Sequence, residues 1–219
     1  MAKVARADIL DADKLRVIQL QAGIVEKGEF FLAGGTGLGL RLGHRRSQDI
    51  DWFTRRAFDV AELRTFLEAL PEKPSGFAVH GAHTLRAYYG ELETSFLLAR
   101  QVEPRTDLLR VGSADIPIAD LPTLATMKAA ALHDRGTRRD FVDVHAICAL
   151  REWSVERFIK HGSASLPLKP EQIARALVYF ADAEKEPMPA GCTTPWKTIR
   201  ADLTKAVERW QRSRDDRGR

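Results

Sequence analysis

Two aspartates one residue apart, Asp49 and Asp51, are the residues of this 219-residue chain best placed for chemistry. The segment Asp49-Ile50-Asp51-Trp52-Phe53 reads as a strand. Side chains alternate across a strand, so both carboxylates are expected on one face, with Ile50 and Trp52 on the other. Adjacent like charges repel, and a divalent cation is the usual compensation. Oxygen-only ligation predicts Mg2+ or Mn2+. Upstream, Gly34-Gly35-Thr36 follows the apolar run Phe30 to Ala33, which reads as a buried strand. It opens a short helix carrying Leu38, Leu40 and Leu42, with Gly43 as its stop. Backbone N–H groups and the positive dipole end at such a helix start can seat a phosphate. A phosphate seat followed by paired metal ligands suits nucleotidyl transfer. There a hydroxyl attacks the α-phosphorus of a nucleoside triphosphate (NTP) and pyrophosphate leaves.

The loop between these parts, His44-Arg45-Arg46-Ser47, is basic. Arg46 and Ser47 are expected to join Gly34, Gly35 and Thr36 in holding the nucleotide, since guanidinium forks match phosphate oxygens. Any requirement for positive φ is expected at Gly35. Gly39, inside the helix, is expected to accept alanine with a gain in helix propensity. Two other readings of the glycines fail. The run has no G-x-G-x-x-G spacing, and no G-K-[ST] follows it. His44, His133 and His145 lack partners at metal-ligand spacing.

The run FLAGGTGLGLRLGHRRSQDIDWF (residues 31–53) resembles the first motif of the AbiEii/AbiGii nucleotidyltransferase toxin family. A second block, Met127-Lys128 followed by RGTRRDFVD (135–143), is similar to that family's downstream segment. The resemblance covers residues 28 to 150 or so. It implies an α+β fold with a DNA polymerase beta-like nucleotidyltransferase core, a small mixed sheet with helices, followed by a C-terminal helical region. It also implies a type IV toxin with a cognate antitoxin encoded nearby, and an NTP substrate. RNA, such as tRNA, is the leading acceptor and protein a second possibility. On this resemblance Lys128 is a phosphate contact, and Asp140 is expected either to pair with an arginine of its own segment or to orient a base or acceptor. Such sites often carry a third carboxylate on a neighbouring strand. Glu93 or Asp143 is the candidate, Ser95 occupying the strand position where an acid is first sought. A non-catalytic nucleotide- or nucleic-acid-binding protein on a degenerate fold of this type is the alternative. The intact Asp49/Asp51 pair speaks against it.

Several elements must position these residues. A helix is expected over 12–27, with Leu15, Ile18, Ala22 and Val25 near one face and Gly28 as its stop. Asp59 and Glu62 form a capping box for a helix reaching about Leu70. Strands are expected at 77–80, 84–89 and 92–98. Asp120 caps a helix through His133, and further helices are read at 140–150, 154–160, 170–183 and 195–212. Residues 101–119, with Pro104 and Pro117, read as the join. The expected parts are a core over 1–118 and a helical region over 119–219 that completes the active site.

Composition sets bounds. Hydrophobic content of 44% and charged content of 29% are ordinary for a globular protein. The net charge of +4 is matched by residues 194–219 alone, which carry eight Lys/Arg against four Asp/Glu. The remainder is balanced, so local clusters are more informative than the total: Arg41, Arg45, Arg46, Arg55 and Arg56 around the Asp pair, and Arg135, Arg138 and Arg139 later. Cys148 and Cys192 are isolated and form no disulfide framework, and no run has signal-peptide or membrane-span length. A cytoplasmic protein without membrane contact is expected.

Overall fold

A short strand, β1 (Lys3–Val4), precedes α1 (Ala12–Lys27), which starts where Asp11 caps it by accepting from the Lys14 amide. Gly28 stops α1 as expected. This computed structural model describes residues 3–4, 9–100 and 102–216. It falls into two units, 1–124 and 125–219. In the first, β2 (Phe31–Leu32) leads into α2 (Gly34–Leu42), ended by Gly43 in the left-handed conformation. Then come β3 (Ile50–Thr54) and α3 (Val60–Glu68), the latter capped by Asp59. The strands β4 (Gly76–Val79), β5 (Thr84–Tyr89), β6 (Leu92–Leu98), β7 (Thr106–Val111) and β8 (Ala114–Ala119) complete the sheet. The strand order is β1-β7-β8-β2-β3-β6-β5-β4, with parallel and antiparallel pairs mixed.

Two expectations change here. Residues 106–119 are not a join: they form the β7–β8 hairpin, and β8 pairs with β2. The alternation of Leu109 and Val111, and of Ile116 and Ile118, buries one face of the hairpin, and Gly112 (φ +61°) makes its turn. Pro117 sits opposite Leu108 within the hairpin. The sheet is also larger than the small one expected, with eight strands among the described residues.

One face of this sheet is a continuous core. Val17, Ile18 and Val25 of α1 and Leu63 and Leu67 of α3 pack with Ile50, Trp52, Leu85 and Phe96. Burying large apolar side chains contributes about 1.5–3 kcal/mol each. Gln21 of α1 is fully buried within it. Its Oε1 accepts from Trp52 Nε1 (2.7 Å) and its Nε2 donates to Thr94 Oγ1 (3.1 Å), which pins β3 and β6 to α1. Ile50 and Trp52 therefore point into the core, and Asp51 points to the opposite face.

The second unit is helical. α4 (Leu121–Asp134) leads into it, and α5 (Arg138–Cys148), α6 (Val155–Ser165), α7 (Pro170–Ala176) and α8 (Trp196–Asp215) follow. α7 is shorter than expected, and a 3₁₀ turn at Ala183–Lys185 takes up what sequence periodicity assigned to it. Phe141, Phe158, Ile173, Leu177, Ile199 and Leu203 are buried in this unit.

Candidate active site

The first unit brings Asp49, Asp51 and the glycine turn together. β2 and β3 pair antiparallel, which places the Asp51 backbone beside the start of α2, and Ala33 N–H donates to the Asp51 carbonyl (3.1 Å). Thr36 Oγ1 donates to the Asp49 carbonyl, tying the first turn of α2 to the segment before β3. Asp49 lies one residue short of the strand, which begins at Ile50. Both aspartates are half-buried. The amides of Gly34, Gly35 and Thr36 open α2 and make no intrahelical bond, so the positive end of the helix dipole lies at Asp51.

The glycines fit against the chain's own side chains. Gly34 has φ +60°, and a Cβ there would run into Asp51 Oδ2 and lie 3.1 Å from Asp51 Cβ and Cγ. The left-handed position is thus Gly34, and Gly35, where it was expected, does not have it. A Cβ on Gly35 would lie 2.6 Å from Arg45 Nη2 and 2.7 Å from Ser47 Oγ. One on Gly39 would lie 2.6 Å from Ile9 Cδ1 and 3.1 Å from the Arg45 carbonyl. The loop after α2 therefore lies against the helix, at closest approach where side chains are missing. Arg45 is only 3% exposed and donates from Nη1 to the Arg46 carbonyl (3.0 Å). Arg46 itself is exposed. Ser47 lies at the glycine turn, and the guanidinium there belongs to Arg45 rather than Arg46. Sequence alone does not separate two neighbouring arginines in a loop.

In β6, Ser95 stands directly opposite Asp51. Ser95 Oγ donates to Glu93 Oε1 (3.1 Å), and Arg86 Nε lies 3.3 Å from the same oxygen. Glu93 is thus two residues along the strand from the position level with Asp51, and paired with an arginine. Among the described residues no group of three or more His, Cys, Asp or Glu is placed to hold a metal ion. Two carboxylates remain the donor set at this site. That set fits Mg2+, which is commonly bound by one or two carboxylates together with substrate phosphates and waters.

The second unit gathers Lys128, Asp140 and Asp143. Lys128 Nζ lies 3.1 Å from Asp140 Oδ1 and 2.6 Å from Asp143 Oδ2, both carboxylates being fully buried. Asp140 also accepts from Arg135 Nε (2.9 Å), Arg135 Nη2 (3.1 Å) and Thr137 Oγ1 (2.6 Å). It closes a capping box with Thr137 at the start of α5. Burial pushes the Asp140 carboxyl up, but the Arg135 hydrogen bonds, the Lys128 charge and the Thr137 hydroxyl hold it well below the usual carboxylate range. Of the two roles open to Asp140, pairing with an arginine of its own segment is the contact observed. Burial pushes the Cys148 thiol up to about 12.

A family model described as the nucleotidyl transferase AbiEii toxin of type IV toxin–antitoxin systems matches residues 24–216. An uncharacterised protein of Aquifex aeolicus (strain VF5) is 30% identical over 168 residues, 72% of this chain and 77% of that protein. Two solved structures share the fold at low identity. MenT4, a nucleotidyltransferase toxin of Mycobacterium tuberculosis H37Rv, has a TM-score of 0.60 at 17% identity, over 92% of this chain and 82% of its own. JHP933 from Helicobacter pylori has a TM-score of 0.58 at 14% identity, over 99% and 97%.

Proposed function

The chain belongs to the AbiEii nucleotidyltransferase toxin family and is a nucleotidyltransferase, and we propose that it transfers a nucleoside monophosphate from an NTP to an RNA acceptor such as a tRNA end. It does so in the cytoplasm, as the toxin of a type IV pair with an antitoxin encoded nearby. No helix among the described residues is long and apolar enough to cross a membrane. The observation that carries the reading is the mounting of Asp51. Its carboxylate lies against Gly34 at the head of α2, with Asp49 tied through its carbonyl to Thr36.

Asp49 and Asp51 would hold Mg2+ or Mn2+, which supplies charge neutralisation on the triphosphate and lowers the pKa of the attacking hydroxyl. The amides at the start of α2 bind phosphate oxygens, with Ser47 beside them. Arg45 and Ser47 pack against Gly35 and hold the loop that delivers Asp49. Asp140 and Asp143 hold the Lys128 ammonium between them and fix its direction. Asp140, saturated by its own segment, acts as a positioning residue.

The test is incubation with each radiolabelled NTP, Mg2+ and total RNA, with total protein in a parallel arm. Label in RNA with the native chain is the expected result. Asp51→Asn keeps the side-chain size and removes the charge. Several kcal/mol of transition-state stabilisation are at stake, a loss of about a hundredfold or more in rate. Labelling by Asp51→Asn at the native rate would remove the carboxylate pair from the mechanism. Label only in protein would replace the acceptor.

A further inference from the structure

Next to the aspartates, the face of β6, β5 and β4 that points away from the core carries a polar strip that the transfer chemistry does not use. Strand register makes it continuous: Asp51 is level with Ser95, and Ser95 with Arg86. Glu93 is level with Tyr88 on the same face. The alternate residues Leu85, Ala87 and Tyr89 are buried on the core side, whereas Arg86 and Tyr88 are only partly covered. Strands lie about 4.8 Å apart, so the Arg86 backbone is about 10 Å from that of Asp51.

Three features mark this strip as a prepared surface. Arg86 is anchored, its Nε ion-paired to Glu93 while the side chain remains 42% exposed. Nε is buried and makes no hydrogen bond, so Glu93 holds it by charge alone. On the outer strand, Gly76 stands opposite Tyr88 and Ala78 opposite Arg86. Nothing bulky on β4 covers either side chain on this face, and the Tyr88 ring passes 3.9 Å from where a Gly76 Cβ would be. An aromatic ring and an anchored guanidinium, both partly exposed on one sheet face, are the complement of a base and a phosphate.

We propose that the Tyr88–Arg86 strip receives the single-stranded end of the RNA acceptor. Tyr88 stacks a base, and Arg86 takes a backbone phosphate one or two nucleotides from the hydroxyl presented at Asp51. The ion pair with Glu93 and the Ser95 hydroxyl fix the direction of Arg86. This rests on the nucleotidyl-transfer reading above and adds to it the form of the acceptor. A duplex end is disfavoured, because its bases are stacked and cannot reach the ring.

The test uses a short fluorescent single-stranded RNA and a blunt RNA hairpin, by anisotropy with Mg2+ and a non-hydrolysable NTP analogue, with NTP affinity by calorimetry alongside. Arg86→Gln is expected to weaken single-strand binding about tenfold and to flatten the log–log salt dependence by about 0.7. Tyr88→Leu should weaken it about tenfold without changing that slope, whereas Tyr88→Phe stays within about twofold. The hairpin should bind more weakly than the single strand. Native-like RNA binding by both Arg86→Gln and Tyr88→Leu, with normal NTP affinity, overturns the proposal. So does a native chain that binds NTP but no single strand. A native chain that binds no NTP overturns the nucleotidyl-transfer reading instead. If Tyr88→Leu loses NTP binding through misfolding, Arg86→Gln and Arg86→Lys decide alone: lysine must keep the slope that glutamine loses.

Discussion

Gly34→Ala probes the contact on which the candidate site is built. At φ +60° an alanine pays about 1–2 kcal/mol for the left-handed conformation. Its methyl group also meets the Asp51 carboxylate, which must leave its rotamer at a further cost of about 0.5–1.5 kcal/mol. The usual gain from replacing glycine, through a less flexible unfolded chain, applies only where the native φ is compatible, and here it is not. The variant should therefore lose about 2–3 kcal/mol, read as a lower urea midpoint at unchanged m. Backbone strain and carboxylate displacement separate in a double-mutant cycle. In an Asp51→Ala background the methyl group has no carboxylate to meet, so Gly34→Ala should cost only its backbone part. The coupling should be about 0.5–1.5 kcal/mol, beyond the few tenths expected of independent sites. Calorimetry with NTP and Mg2+ should show weakened binding by Gly34→Ala. Equal costs in the two backgrounds would mean that Gly34 does not seat Asp51, and the geometric basis of the site would fall.

Two further outcomes follow from the packing. Gly39→Ala gains about 1 kcal/mol in helix propensity but overpacks against Ile9 and the Arg45 carbonyl at about 1–3 kcal/mol, so a net loss of about 1 kcal/mol replaces the gain expected from sequence; a raised urea midpoint would refute it. Asp140→Asn should destabilise by about 3–5 kcal/mol, because Lys128 and Arg135 lose a buried anion. Since the folded carboxyl lies below the usual carboxylate range, its contribution is full above about pH 4 and is lost as pH falls through the folded value. The native chain should thus lose more stability than Asp140→Asn on acidification below pH 4, and parallel acid titrations would count against the buried cluster.

Where local pattern and tertiary burial agree, the fold was readable. The helix over 12–27 and its stop at Gly28, the Asp59 cap and the strands from Thr84 to Leu98 all follow from periodicity and caps. The β7–β8 hairpin was missed because two prolines near its ends look like linker punctuation, while Leu109, Val111, Ile116 and Ile118 show alternation too brief to outweigh them. Burial of those four is decided by neighbours far away in sequence. The helix after Pro170 was overextended for the opposite reason, since apolar residues past Ala176 continue the helical period although the backbone leaves it.

The glycines show why a site is less legible than a fold. A glycine at a helix start is equally the mark of a ligand brought close to backbone and of a side chain of the same protein brought close. Only coordinates tell which atom comes near. Here Gly34 is met by Asp51, Gly35 by Arg45 and Ser47, and Gly39 by the Arg45 carbonyl. The two uses are compatible, because the loop fastens to the side of the helix while the amides that open α2 make no intrahelical bond. They differ in consequence. If the glycines served the phosphate alone, substitutions would act on nucleotide affinity and leave Asp49 and Asp51 in place. Since they also seat the loop and the carboxylate, each substitution shifts the acids relative to the helix head. Nucleotide binding and metal binding should then fail together.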